Sequence, residues 1–116
     1  MGNGKKMSLH PGFSIIMPTF NRAFCICEAV DSVLMQNYPD FELIVVDDGS
    51  SDGTDMLLKE RYGAEMACGR LKYLRSGHEG VSAARNKGLC AATREWAGYL
   101  DTDNRMCADY FAVFEN

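Results

Sequence analysis

FELIVVDDGSSDGT, Phe41 to Thr54, is an apolar run that stops abruptly in two carboxylates and a glycine-rich turn. Phe41 to Val46 is β-branched and apolar almost throughout, the composition of a central parallel strand covered on both faces. Past Asp47 and Asp48, Gly49 and Gly53 permit tight backbone paths. Ser51, Asp52 and Thr54 are N-cap candidates for a helix over Asp55 to Tyr62, which Gly63 ends. A buried strand feeding a loop and then a helix is half of a βαβ unit.

The segments on either side complete the pattern. Met1 to Gly12 has no periodicity and reads as a flexible lead, with His10 a solvated tail residue. Phe13 to Met17 is a short apolar strand stopped by Pro18, followed by the loop PTFNR, Pro18 to Arg22. From Ala23, the apolar residues Ile26, Val30, Val33 and Leu34 recur at helical spacing, and this helix closes near Asn37 with Pro39 beyond. Downstream, Leu71 to Leu74 forms a third strand and SGHEG, Ser76 to Gly80, a loop. Val81 to Ala92 forms a helix with Gly88 at a close packing contact, and Trp96 to Leu100 a fourth strand. Met106 to Asn116 resembles the opening of a further helix. Alternating strands and helices predict an α/β fold: a Rossmann-like, mostly parallel sheet of about four strands with helices on both faces.

The 116 residues suit one domain, with 13–116 as its body. A net charge of −4 offers no basic face for nucleic acid. The five cysteines form an odd set with no C-x-x-C pair, so a reduced, cytoplasmic compartment is expected. Cys25 and Cys27 read as small, partly buried residues near a helix start. No apolar run is long enough to cross a bilayer. Peripheral association with the inner face of a membrane stays open, as does self-association through an exposed sheet edge.

In open parallel sheets a ligand binds outside the carboxyl ends of the strands, near the point where strand order reverses. Three loops there carry unusual chemistry: PTFNR after the first strand, DDGSS after the second, and DTDN after the fourth. Asp48 could accept a hydrogen bond from the imide N–H of uracil or from the Watson–Crick edge of guanine. Asp47 takes the duller role of a turn residue satisfied by backbone N–H groups. Arg22 and Arg85 suit phosphate, whose oxygens match a guanidinium's planar fork, or a solvated ion pair. Free N–H groups at the start of the third long helix also favour an anion. His78 is a lone loop histidine, most simply solvated. Asp101 and Asp103, closing GYLDTDN (Gly98 to Asn104), could converge on a divalent ion or close the strand in a turn. Mg²⁺ and similar ions take one or two protein carboxylates and fill the rest with water and phosphate.

With these motifs in place, the stretch from Phe13 to Asn104 resembles the family 2 glycosyltransferases, enzymes of the A-type glycosyltransferase fold that use nucleotide-activated sugars. The resemblance rests on SIIMPTFNR, AVDSVLMQNYPDFE, LIVVDDGSSDGT, GVSAARNKGL and EWAGYLDTDN, in that order. It implies that Pro18, Thr19, Phe20 and Arg22 cradle the nucleoside and its phosphates, that Asp48 reads the base, and that Arg85 and Asp101 complete the donor site. Asp101 and Asp103 match the D-x-D motif, whose last aspartate binds Mn²⁺ or Mg²⁺ on the diphosphate. Asn104 stands where many members carry a further aspartate, which reduces the charge available to the ion. The implied reaction is inverting transfer from a donor, a UDP-sugar by analogy, to the hydroxyl of a glycan or lipid-linked glycan acceptor. The acidic base of the family lies well beyond the D-x-D, and no residue here matches it. The domain is therefore expected to be the nucleotide-sugar-binding part, truncated after the D-x-D.

Two other readings compete. One is a non-catalytic nucleotide-binding module that acts with a partner chain. The other is a metal-dependent phosphatase; there the D-x-D follows the first strand and continues into Gly-Thr, whereas here it follows the fourth and continues into Asn104 and Arg105.

Overall fold

The structure, a computed structural model, describes residues 12–102. Asp103, Asn104, the expected helix opening over 106–116, and residues 1–11 of the expected lead lie outside them. The elements run β1 (Phe13–Thr19), α1 (Ile26–Leu34), β2 (Phe41–Asp47), α2 (Thr54–Arg61), α3 (Gly63–Ala67), β3 (Leu71–Arg75), α4 (Val81–Ala91) and β4 (Trp96–Tyr99). The four strands form one parallel sheet in the order β3-β2-β1-β4.

Side chains alternate across a strand, and the two faces of this sheet collect different partners. Ile15, Met17, Leu43 and Val45 pack with Ile26, Ala29, Val30 and Val33 of α1 and Leu58 of α2. Ile16, Ile44 and Val46 face Ala84 of α4. Each of these large apolar side chains is fully removed from water, worth about 1.5–3 kcal/mol apiece against an exposed reference. Gly88 lets α4 approach closely, since a Cβ there would lie 2.5 Å from Cγ2 of Ile16 and 3.1 Å from Cγ2 of Val46. The expected close contact at Gly88 is therefore present.

Two local expectations are corrected. First, β1 does not stop at Pro18 but runs through it to Thr19, with Pro18 opposite Val46. Ile16 accepts from Leu100 N–H on the β4 side and Thr19 accepts from Asp48 N–H on the β2 side. Alternation turns the missing N–H of Pro18 towards β4, just past the last paired residue, Ile16 with Tyr99, so the ladder with β2 is intact and the ladder with β4 ends there. Second, α2 is capped not by Ser51, Asp52 or Thr54 but by Gly53 at φ +86°, while Asp52 Oδ1 accepts from the Thr54 N–H (3.2 Å) and hydroxyl (2.5 Å) just inside the helix. Gly63 follows the C-cap Tyr62 and ends α2 as expected, and it also opens the short helix α3.

Candidate functional site

Strand order reverses at β1, whose neighbours β2 and β4 are reached in opposite directions along the sheet. Beyond the carboxyl ends of these strands lies a cavity of about 460 Å³, lined by Pro18, Thr19, Phe20, Asn21, Arg22, Asp48, Val81, Ala84, Asp101 and Thr102. Six of the residues singled out in the sequence line it: Pro18, Thr19, Phe20, Arg22, Asp48 and Asp101. Arg85 stands beside it, its Nη2 3.6 Å from Oδ1 of Asp101 and its guanidinium carbon 5.4 Å from the centre of the Tyr99 ring. Asp103 falls outside the described residues.

The loops after β1 and β2 are stitched together. The N–H of Asn21 donates to Ser50 Oγ (2.7 Å), Ser51 N–H donates to Asn21 Oδ1 (2.9 Å), and Ala23 N–H donates to Asp52 Oδ2 (3.0 Å). Asn21 takes a left-handed conformation, φ +52°, which asparagine tolerates better than most residues. Sequence reasoning passed over Asn21 inside PTFNR, as it did Val81, Ala84 and Thr102. Its side-chain amide, in a loop beside other hydrogen-bonding residues, was the available signal.

Asp47 and Asp48 divide the work below these loops. Asp47 is fully buried; it accepts from Ser50 N–H (2.8 Å) and the Tyr73 hydroxyl (2.5 Å), and pairs with Arg75 Nη1 at 3.3 Å. Burial and this bond to Asp47 push the Tyr73 phenol up to about 12. The turn role expected of Asp47 is present, and Arg75 adds to it by donating to the Ser50 carbonyl at 2.7 Å.

Asp48 lines the cavity but also holds the loop after β3. Its Oδ1 accepts from Ser76 Oγ (2.8 Å) and Glu79 N–H (2.7 Å), and its Oδ2 from Gly80 N–H (2.9 Å). Burial alone would raise its pKa; the Glu79, Gly80 and Ser76 donors and the nearby His78 outweigh it and hold the carboxyl below the ordinary range. A carboxylate offers roughly four acceptor positions. With three filled, one remains on Oδ2, the oxygen that His78 Nδ1 approaches to 3.7 Å.

His78 is more than a solvated loop residue. Its side chain is 67% exposed, yet the ring stacks on Phe20 and Nδ1 lies 3.7 Å from Oδ2 of Asp48. The first turn of α4 reaches the cavity through Val81 and Ala84, and no side chain caps that helix end. The mouth thus combines an aromatic ring, a hydrogen-bond acceptor, the arginine Arg22, a helix N-terminus and the half-exposed carboxylate of Asp101. That set suits a ligand with a flat polar ring at one end and anionic oxygens at the other.

The cations that favour oxygen ligands need few protein donors when a diphosphate supplies the others. Among the described residues no cluster of three or more His, Cys, Asp or Glu could hold a metal alone. Asp101 at the cavity mouth fits a partial site of that kind, with Arg85 on one of its oxygens.

The profile described as Glycosyl transferase family 2 matches residues 14–112. An uncharacterized glycosyltransferase of Rickettsia felis is 34% identical over 104 residues, covering 86% of this chain and 16% of that protein. Among solved structures, S. aureus TarS 1-349 in complex with UDP-GlcNAc superposes with a TM-score of 0.78 at 28% identity, over 89% of this chain and 30% of that one. A mannosyltransferase, PcManGT, from Pyrobaculum calidifontis in complex with GDP-Man and Mn²⁺ superposes equally well, with a TM-score of 0.78 at 31% identity over 86% of this chain and 30% of that one. The chain spans well under half the length of these relatives.

Proposed function

The chain belongs to glycosyl transferase family 2, and from that membership we propose that its cavity binds a nucleoside-diphosphate sugar, a UDP-sugar by preference, as donor for transfer to an acceptor hydroxyl. The observation that carries this reading is the convergence of Arg22, Asp48 and Asp101 on one cavity from the ends of three different strands. Phe20 offers a ring face to the base and Asp48 its remaining acceptor position to an imide N–H. Arg22, Arg85 and the start of α4 face the phosphates. Uracil and guanine both present such an N–H, in keeping with the UDP-GlcNAc and GDP-Man bound to the two superposed structures.

A divalent ion, Mn²⁺ or Mg²⁺, is part of the proposal. Asp101 and, by its place in the motif, Asp103 would hold it, with the diphosphate filling further positions. When bound, the ion stabilises negative charge on the departing diphosphate. Transfer by inversion also needs a base within hydrogen-bond reach of the acceptor hydroxyl. Neither described carboxylate at the cavity is free for that role, since Asp48 is committed to its loop and Asp101 is assigned to the ion. The polypeptide of 116 residues is therefore expected to bind donor without transferring sugar. Incubation with UDP-GlcNAc or GDP-Man, Mn²⁺ and a panel of glycan acceptors checks this, with bound nucleotide and glycosylated product followed separately. Binding without product supports the reading; no binding of either donor refutes it.

A further inference from the structure

One side chain at the cavity has no part in the reading above. His78 sits in the loop between β3 and α4 at φ +61°, a left-handed conformation that histidine adopts more readily than most residues. The loop is fixed there by the three hydrogen bonds to Asp48 from Ser76, Glu79 and Gly80. So held, the imidazole lies on the Phe20 ring with centroids 4.4 Å apart and planes 26° from parallel.

Phe20 and Asp48 both line the cavity, and His78 touches both without being a lining residue. It therefore supports the cavity wall from behind. The ring separation is that of direct stacking, so no base enters between His78 and Phe20. The phenyl ring has only its opposite face or its edge left for the cavity. Phe20 is 38% exposed, and without the imidazole its ring would lose the contact that fixes it on that side.

Resting on the nucleotide reading, we propose that His78 is a positioning residue for the nucleobase: it backs the Phe20 ring so that the opposite face stands ready as the stacking platform. A platform held in its bound orientation spares the ligand the entropy of ordering it. His78 thus acts on the nucleotide through Phe20, across three stacked layers of imidazole, phenyl and base.

The experiment is calorimetric titration of UDP, with Mg²⁺, into the wild-type chain and four variants. His78→Asn removes the ring while tolerating the left-handed backbone; His78→Phe keeps a ring and loses Nδ1. Phe20→Leu and the double variant complete a cycle. An aromatic pair is worth about 0.5–1.5 kcal/mol beyond burial, so His78→Asn should weaken UDP about two- to thirteenfold. His78→Phe should restore affinity to within about twofold, and the double variant should bind no more weakly than Phe20→Leu alone. Thermal melts report folding separately, and the exposed His78 side chain predicts little change. Equal affinity in wild type and His78→Asn would overturn the proposal while leaving the nucleotide reading intact. So would His78→Phe as weak as His78→Asn, or additive losses in the double variant. A wild-type chain that binds neither UDP nor, in a parallel titration, GDP overturns both.

Discussion

Nη2 of Arg85, on α4, stands 3.6 Å from Oδ1 of Asp101, just past β4, so the first aspartate of the D-x-D motif already has a cationic partner. Both side chains are partly exposed, at 39% and 55%, which makes the pair weak and easily exchanged. A divalent ion arriving with a diphosphate would take the carboxylate, leaving the guanidinium to turn to a phosphate oxygen.

That exchange predicts effects of opposite sign for Arg85→Gln. Without nucleotide, Mn²⁺ should bind more tightly, because a neighbouring positive charge has gone. With Mn²⁺ present, UDP should bind more weakly by about 1.5–3 kcal/mol, the usual worth of a hydrogen bond to a charged group. Titrations of Mn²⁺ alone and of UDP with Mn²⁺ measure the two separately. Changes of the same sign would mean that Arg85 does not pass from carboxylate to phosphate.

On the proposed reading Asp48 both holds its loop and reads the base, and Asp48→Ala should lose both. The loop after β3 would lose its acceptor for the Ser76 hydroxyl and the Glu79 and Gly80 N–H groups, costing at least about 2 kcal/mol of stability. UDP affinity should fall as well, and wild type should prefer UDP or GDP to ADP, whose base has no imide N–H. Denaturant unfolding and calorimetry give the two quantities. Equal affinity of the wild-type chain for UDP and ADP would show that Asp48 does not read the base.

At the opposite end of the sheet, Glu42 is fully buried and accepts from Ser14 Oγ (2.7 Å), Thr93 N–H (2.7 Å) and Thr93 Oγ1 (3.0 Å), with Lys72 Nζ at 2.7 Å. Burial alone would raise its pKa, but the bonds from Lys72, Ser14 and Thr93 outweigh it and bring the carboxyl down from 4.5 to about 2. Because the folded value lies below the unfolded one, the charged form favours folding. Its contribution, of order 3 kcal/mol, is complete above about pH 4.5 and is lost as pH falls towards 2. Unfolding free energies measured across pH 2 to 5 should fall more steeply with acid in wild type than in Glu42→Gln. Parallel curves would remove Glu42 from the explanation of acid sensitivity.

The strands were legible because β-branched runs bounded by loops have few other uses, and the helix over Ile26 to Leu34 because its apolar spacing is regular. Pro18 misled because its cost depends on which side of the strand the absent N–H faces. That is settled only by β4, which lies far along the chain. Gly63 closes α2 where the sequence suggests, but the short helix α3 that it opens carries no periodic signal over five residues. At the cavity, Arg22, Asp48 and Asp101, singled out by charge and motif, are among the lining residues, whereas Val81, Ala84 and Thr102, which line it by contact, carry no such signal. His78 carries no local signal, since its place on Phe20 follows from a loop that Asp48 pulls across from another strand.

Amide chemical shifts of the isotopically labelled chain, followed as UDP is titrated in with Mg²⁺, test the central claim most directly. The account predicts shifts concentrated on residues 19–22, 48–50, 76–84 and 101–102, with Ser14, Glu42 and Thr93 at the opposite end of the sheet unmoved. No shifts at saturating UDP, or shifts centred away from those loops, would contradict it.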